Sequence, residues 1–168
     1  MDAVKTLILG GARSGKSLVA ERRAERRAGP VTYVATVRLG NDEDLARRVA
    51  LHRDRRPSGW STIECGDDLP GVLTSTIGTV LVDSLGPWLA AQSDMHCDLD
   101  ELIAALNARR DDTIIVSEEV GFGVHPESAL GRDFRDALGT LNQAIADACD
   151  EVLLVVAGRV LSLPRHDS

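Results

Sequence analysis

A short stretch near the amino terminus has the composition of a phosphate-binding loop. Residues 10–17 read Gly-Gly-Ala-Arg-Ser-Gly-Lys-Ser and match the pattern Gly-x-x-x-x-Gly-Lys-Ser/Thr in full. Glycines let the backbone curl so that successive N–H groups face phosphate oxygens, and the positive end of the following helix attracts the same anion. We therefore predict nucleotide contacts from the whole loop: Gly10, Gly11, Ala12, Arg13, Ser14, Gly15, Lys16 and Ser17.

Lys16 and Ser17 carry the chemistry of this loop. The Lys16 ammonium is expected to reach the β- and γ-phosphates as a catalytic group, and the Ser17 hydroxyl is expected to ligate Mg²⁺. The metal also needs an acidic residue at the end of another buried strand. Asp83 follows the apolar run 80–82, and a Glu-Glu pair at 118–119 follows a second run. We favour Asp83 as the metal ligand because its shorter side chain directly follows its strand, and the Glu-Glu pair is the alternative.

The loop needs a strand before it and a helix after it, and the sequence supplies both. Short runs rich in Val, Ile and Leu alternate with helical patterns, which is typical of parallel strands buried on both faces. The predicted strands are 6–9, 31–36, 79–83, 113–117 and 151–156, with a short closing strand near 160–163. The predicted helices are 16–27, 43–55, 98–110 and 132–149, with a short one starting near Ser84. This alternation predicts an α/β fold of the P-loop NTPase type, a doubly wound, mostly parallel sheet flanked by helices.

Length and composition limit what else the chain can be. Its 168 residues, without a repeat or a linker, predict one domain over residues 1–168. The net charge of −7 argues against a nucleic-acid partner. No apolar stretch approaches the ~20 residues of a membrane span, and no signal peptide is apparent, so we predict a cytoplasmic protein. Cys65, Cys97 and Cys149 show no metal-binding spacing and are expected to be buried or idle thiols.

The loop alone does not identify the substrate. Lys5 and Lys16 are the chain's only lysines, so it cannot contain the Asn-Lys-x-Asp motif with which GTP switches read guanine. One interpretation is a small-molecule kinase that transfers only the γ-phosphoryl group without a covalent intermediate. Another is a regulatory module whose nucleotide acts as a binding switch.

A histidine beside a run of arginines is the second candidate site. Leu45, Val49 and His52 share one face of a predicted helix, and Arg53, Arg55 and Arg56 follow. A histidine at a helix end is more often a cap or a packed residue than a catalyst. The pattern alone therefore leaves the role of His52 open.

Several motifs, in order along nearly the whole chain, carry a specific resemblance. They are T-L-I-L-G-G-A-R-S-G-K-S at 6–17, Y-V-A-T at 33–36, H-R-D-R-R-P at 52–57, V-D-S-L at 82–85, S-E-E-V-G-F-G at 117–123, P-E at 126–127, R-D-F-R-D at 132–136, L-N-Q at 141–143 and L-V-V-A-G at 154–158. Together they resemble the bifunctional adenosylcobinamide kinase/adenosylcobinamide-phosphate guanylyltransferase family of cobalamin biosynthesis.

The resemblance implies two reactions. Adenosylcobinamide would be phosphorylated with ATP or GTP, and GMP would pass from GTP to adenosylcobinamide phosphate through a guanylylated His52. A neutral imidazole is nucleophilic near pH 7, and neighbouring arginines would be expected to keep it unprotonated and to stabilise phosphoryl charge. The resemblance also implies nucleotide contacts at Ala35, Thr36, Val37, Arg53, Asp54, Arg55, Arg56, Glu64 and Asp83.

The resemblance further implies a homo-oligomer, a trimer, with the corrinoid near a subunit boundary. Two departures from the family pattern concern the kinase step and the corrinoid contacts. Glu118 stands where the family commonly has Asn, and residues 84–89 read S-L-G-P-W-L where the family often has C-L-T-L-W-L. Pro87 is tolerated in a first helical turn, so the fold is not threatened.

Overall fold

A seven-stranded sheet forms the centre of the molecule. The computed structural model describes residues 3–37 and 56–165. The strands are β1 (Lys5–Gly10), β2 (Val31–Ala35), β3 (Ser61–Glu64), β4 (Thr79–Asp83), β5 (Thr113–Glu118), β6 (Glu151–Val156) and β7 (Arg159–Ser162). Their order across the sheet is β3-β2-β4-β5-β1-β6-β7. All neighbours are parallel except β6 and β7, which form an antiparallel hairpin. The predicted mostly parallel α/β fold is confirmed.

Five α-helices are described, together with a single 3-10 turn. They are α1 (Lys16–Glu25), α2 (Leu69–Ser75), α3 (Leu85–Ala90), α4 (Leu99–Ala108) and α5 (Ala129–Ala148), and the 3-10 turn spans Ser93–Met95. The predicted helix over residues 43–55 lies outside the described residues. The predicted final helix starts at Ala129 rather than at residue 132, because the Ser128 hydroxyl accepts the Gly131 N–H at 3.0 Å and caps the first turn.

Alternate residues of each central strand enter two different cores. In β1, Leu7 and Leu9 face one core and Ile8 faces the other, and all three are buried. Helix α1 contributes Ala20 and Ala24 to the core of Ile8. The opposite core is filled by side chains of α2, α3, α4 and α5, among them Leu73, Trp88, Leu106 and Leu141. Burial on both faces explains why these strands read as continuous apolar runs.

The carboxyl ends of five parallel strands meet at one edge of the sheet. Gly10, Ala35, Glu64, Asp83 and Glu118 are the last residues of β1, β2, β3, β4 and β5, respectively. In open α/β sheets, ligands bind at the carboxyl ends of the strands. They bind at the point where two neighbouring strands lead to connections on opposite faces of the sheet. The fold therefore brings four of the predicted site residues and the alternative acidic residue Glu118 to the same edge of the sheet, where the phosphate loop begins.

The cysteines and the helices add two smaller observations. Cys65, Cys97 and Cys149 are free, and the first and last of them are buried. Among the described helices, none has both the length and the apolar character needed to span a bilayer.

Candidate nucleotide-binding site

The phosphate loop connects β1 to α1, as the motif requires. Gly15 has a φ of 94°, a left-handed conformation that side chains with a Cβ rarely adopt. It is also the N-terminal flanking residue of α1, so the turn delivers Lys16 and Ser17 into the first helical turn. The backbone N–H of Ser14 closes the curl by donating to the Gly11 carbonyl at 3.2 Å. The loop thus has the geometry expected of a phosphate cradle.

The turn of the β6–β7 hairpin packs against the phosphate loop and is hydrogen-bonded to it. The backbone N–H of Gly158, in the hairpin turn, donates to the Ser14 carbonyl at 2.7 Å. A Cβ added at Gly15 would lie 3.4 Å from Gly158 Cα, so the two segments are in close contact. The loop's curvature therefore depends on a turn far along the sequence.

Ser17 and Asp83 lie within hydrogen-bonding distance. The Ser17 hydroxyl donates to Asp83 Oδ1 at 3.2 Å, and the Tyr33 hydroxyl donates to Oδ2 of the same carboxylate at 3.0 Å. A hydroxyl beside a carboxylate, open to substrate phosphates, is the small protein ligand set that Mg²⁺ uses in phosphoryl-transfer sites. The residues predicted as metal ligands therefore fit such an ion. No cluster of three or more His, Cys, Asp or Glu side chains capable of holding a metal occurs in the described part of the chain.

Tyr33 is a buried donor that sequence reasoning missed. Burial, and then the negative charge of Asp83, raise the pKa of Tyr33 far above its usual 10.0, although Arg56 acts in the opposite direction. The Arg56 guanidinium stacks on the ring, with its carbon 3.3 Å from the ring centroid. The phenol therefore stays neutral and keeps its proton for Asp83. Tyr33 is the chain's only tyrosine and stands in a strand of otherwise small or β-branched residues, which is the signal that points to it.

The side chain of Lys16 extends between the backbone of the loop and the end of β5. Its ammonium is 3.4 Å from the Gly11 carbonyl and 3.7 Å from Glu118 Oε1. Glu118 is itself held by two donors: the Ser84 hydroxyl at 2.6 Å from Oε1 and the Gly86 N–H at 2.9 Å from Oε2. The two acidic candidates therefore contact different residues of the loop. Asp83 accepts a hydrogen bond from Ser17, and Glu118 forms an ion pair with Lys16.

Ser84 is a further residue that sequence reasoning missed, and Thr36 fixes it. The Thr36 hydroxyl donates to the Ser84 carbonyl at 2.7 Å and accepts the Ser84 N–H at 2.8 Å. Both residues are buried. These bonds join the ends of β2 and β4, so the hydroxyl of Thr36, predicted as a nucleotide contact, is used within the fold.

A second buried pair holds the end of β5. The Ser117 hydroxyl donates to Asn142 Oδ1 at 2.6 Å, and Asn142 Nδ2 donates to the Glu118 carbonyl at 3.1 Å. Asn142 lies in the middle of α5. The helix therefore fixes the strand end that carries Glu118.

The remaining predicted contacts occupy different places. Ala35 and Val37 lie at and just beyond the end of β2, and Ala35 pairs with the exposed Glu64 at the end of β3. Arg56 lies over Tyr33 and donates to the Thr62 hydroxyl at 3.4 Å. In the loop, Ala12 and Arg13 are exposed. The predicted site residues His52, Arg53, Asp54 and Arg55 lie outside the described residues.

Comparison with solved structures shows the same fold in distant proteins. The flagellar accessory protein FlaH from Methanocaldococcus jannaschii aligns over 95% of this chain and 75% of its own, with a TM-score of 0.55 and 15% identity. The RadB recombinase aligns over 91% of this chain and 74% of its own, with a TM-score of 0.53 and 18% identity. At such identities the likeness concerns the fold alone.

Comparison with characterised sequences gives much closer matches. The chain is 40% identical over 171 residues to the bifunctional adenosylcobalamin biosynthesis protein CobP of Pseudomonas aeruginosa, covering 95% of this chain and 97% of that one. It is 37% identical over 177 residues to the protein CobU of Salmonella typhimurium, covering 90% and 95%. It is 35% identical over the same length to CobU of Escherichia coli.

A family model agrees with these relatives. The model for cobinamide kinase / cobinamide phosphate guanyltransferase matches residues 6–163, from the first strand to just beyond the last. The phosphate loop, the Ser17–Asp83 pair and the ion pair of Lys16 all lie within the matched region. The chain therefore belongs to the cobinamide kinase / cobinamide phosphate guanyltransferase family.

Proposed function

We propose that this chain phosphorylates adenosylcobinamide and then transfers GMP from GTP to adenosylcobinamide phosphate through a guanylylated His52. The product would be adenosylcobinamide-GDP, an intermediate of cobalamin biosynthesis. The observation that carries the proposal is a complete phosphate loop with Ser17 bound to Asp83, inside a family match over residues 6–163. ATP or GTP would serve as the phosphoryl donor.

The phosphate loop would hold the triphosphate in both reactions. The backbone N–H groups of residues 10–17 would bind phosphate oxygens, and Lys16 would lie against the β- and γ-phosphates. Ser17 and Asp83 are the residues suited to hold Mg²⁺, which would neutralise phosphate charge when bound. Tyr33 supports this arrangement because its neutral hydroxyl donates to the Asp83 oxygen that Ser17 does not use.

Guanylyl transfer would proceed in two displacements. An imidazole nitrogen of His52 attacks the α-phosphorus of GTP, and the bond from that phosphorus to pyrophosphate breaks. A phosphate oxygen of adenosylcobinamide phosphate then attacks the same phosphorus and releases the histidine. Arg53, Arg55 and Arg56 would stabilise the charge that builds on the phosphoryl oxygens. Arg56 lies 3.3 Å above the ring of Tyr33, whose hydroxyl is bound to Asp83, and this link supports nucleotide contacts from the arginine segment.

The other proposed contacts surround the same edge of the sheet. Ala35, Thr36 and Val37 would contact the nucleotide. Thr36 would do so through groups other than its hydroxyl, because that hydroxyl is bonded to Ser84. Asp54 and Glu64 complete the set implied by the family pattern. Glu64 is exposed at the end of β3, which leaves its carboxylate accessible to a ligand.

We also propose assembly as a homotrimer with the corrinoid near a subunit boundary. Exposed apolar side chains in the part of the chain that follows β5 support a further partner surface: Phe122, Val124 and Leu130 are 80%, 96% and 68% exposed. Light scattering on the purified chain should give three times the protomer mass of 18.0 kDa. A monomer at all concentrations would contradict the trimer.

The decisive experiment follows a covalent label on the enzyme. The purified chain is incubated with Mg²⁺ and GTP labelled at the α-phosphate or at the γ-phosphate, without corrinoid. We expect a protein-bound label from the α-phosphate only, labile in acid and stable in alkali, as for a phosphoramidate. The His52→Ala variant should form no adduct and lose guanylyl transfer by about a thousandfold or more.

His96→Ala is the matched control, because His96 is exposed and lies outside the site. It should form the adduct like the parent chain. A parent chain that binds GTP but acquires no α-label would remove His52 from the mechanism and leave a kinase without a covalent intermediate. Nucleotide binding without turnover when cobinamide is added would favour the regulatory module.

A further inference from the structure

Glu118 places a fixed negative charge beside the lysine of the phosphate loop. Its Oε1 lies 3.7 Å from Lys16 Nζ, and the two side chains are only 25% and 12% exposed. Partial burial weakens the screening of such a pair by solvent. Lys16 therefore already has a counter-ion when no nucleotide is bound.

The position of Glu118 is held from both sides of its carboxylate. Ser84 donates to Oε1 at 2.6 Å and the backbone of Gly86 donates to Oε2 at 2.9 Å. A Cβ at position 86 would lie 2.2 Å from Oε2, so only glycine permits this approach. The neighbouring Glu119 differs, because its carboxylate accepts the N–H of Gly121 at 2.6 Å in its own loop.

Bound phosphate and Glu118 compete for the same ammonium. A lysine at this point of a phosphate loop lies against the β- and γ-phosphates of a bound triphosphate. We propose that Lys16 exchanges the Glu118 carboxylate for phosphate, so that Glu118 sets how strongly the chain prefers a nucleoside triphosphate over a monophosphate. This inference rests on the proposed nucleotide-binding function.

The proposal predicts that loss of a side chain's charge in the site strengthens nucleotide binding rather than weakening it. Removing the charge of Glu118 should tighten the binding of any ligand that reaches Lys16, because the exchange no longer costs an ion pair. GMP does not extend to the β- and γ-positions, so its affinity should not change. Partly exposed ion pairs contribute modestly, so the tightening for GTP should lie between about two- and fivefold.

Glu118→Gln tests this with little change of shape. The amide oxygen can still accept the Gly86 N–H, and the amide nitrogen can donate to the Ser84 hydroxyl oxygen in place of accepting from it, so both contacts survive while the charge is lost. Calorimetric titration with Mg-GTP and with GMP should give a tighter dissociation constant for GTP alone, with a difference that shrinks at high salt. Glu119→Gln, the matched control, should leave both constants unchanged. Weaker or unchanged GTP binding in Glu118→Gln, or an equal tightening for GMP, would overturn the inference.

A second pair of variants shows whether the effect passes through Lys16. In a Lys16→Met background, Glu118→Gln should no longer tighten GTP binding. The same tightening without the lysine would mean direct repulsion between Glu118 and the ligand, which contradicts the exchange. A parent chain that fails to bind GTP would contradict the proposed function itself. A parent chain that binds GTP with no response to Glu118→Gln contradicts only the exchange.

Discussion

The hydroxyl of Tyr33 makes the orientation of the Asp83 carboxylate dependent on a buried neutral phenol. The phenol donates to Asp83 Oδ2 at 3.0 Å while Ser17 donates to Oδ1 at 3.2 Å. An ionised phenol would have no proton to give and would place a second negative charge against Asp83. The environment that raises the pKa of Tyr33 is therefore the same environment that keeps Asp83 oriented.

Tyr33 can be titrated alone because the chain has no other tyrosine. Its folded pKa is raised above the unfolded value, so it contributes stability below about pH 10 that is lost as the pH rises further. Tyrosinate absorbance of the denatured chain should titrate near 10.0, while the folded chain should show no ionisation until it unfolds. In Tyr33→Phe, the stability loss above that pH should be smaller. Ionisation of Tyr33 in the folded chain near pH 10.0 would show that its pKa is not raised by burial and by Asp83.

Among the elements, the link between α4 and β5 is held by one buried arginine. Arg109 is 6% exposed and donates to the carbonyls of Leu73, Thr76 and Gly78 at 2.6–2.8 Å, and to the Thr113 hydroxyl at 2.6 Å. These bonds tie the end of α2 and the turn before β4 to the start of β5. The two strands that carry Asp83 and Glu118 thus share one anchor at their amino ends.

Replacing this arginine should destabilise the whole fold. Arg109→Met keeps much of the apolar stem but removes the donor from one buried and two partly buried carbonyls, and a buried carbonyl left without a donor costs about 1–3 kcal/mol. We expect the free energy of unfolding in urea to fall by about 3 kcal/mol or more. Arg110→Met, at the exposed neighbouring residue, should stay within about 0.5 kcal/mol of the parent chain. Equal small effects in both variants would show that the carbonyls find other partners.

The central strands could be predicted from sequence because both of their faces are buried. The centres of the runs 79–83 and 113–117, at residues 80–82 and 114–116, are apolar throughout, as a buried parallel strand requires. Strand β3 lacks it: Ser61, Thr62 and Glu64 are exposed at the sheet edge, so the short segment has no apolar run to detect. Helix α2 was missed for another reason, since Pro70 and Gly71 disfavour a helix interior but are tolerated in the first turn that Asp68 caps.

The candidate site was predictable only where local sequence decides the geometry. The phosphate loop is one continuous segment, so its residues could be read directly from the sequence. The partners of Glu118 could not, because Ser84 and Gly86 reach it from the following strand–helix connection. Such pairings depend on which strand ends lie side by side, and no spacing in the sequence encodes that order.

At the scale of the whole molecule, nucleotide binding should stabilise the fold against heat. A ligand at one hundred times its dissociation constant adds about 2.7 kcal/mol if it binds only the folded chain. For a domain of this size that corresponds to a rise in melting temperature of about 5–11 °C. Mg-GTP should produce this shift in differential scanning fluorimetry, and Lys16→Met should lose most of it at the same GTP concentration. An undiminished shift in that variant would indicate that GTP binds elsewhere.

The contact between Gly158 and Ser14 has a consequence for biosynthesis of the chain. The phosphate loop leaves the ribosome before the segments that it needs: β1 pairs with β5 and β6, and the turn that supports the loop follows β6. Domains whose pairings join distant segments fold late, after their partners have been made. A nascent chain stalled before Gly158 therefore carries the complete motif without its native support. We therefore expect the nascent chain to bind nucleotide only after the β6–β7 hairpin has been synthesised, and not as soon as the motif itself has been made.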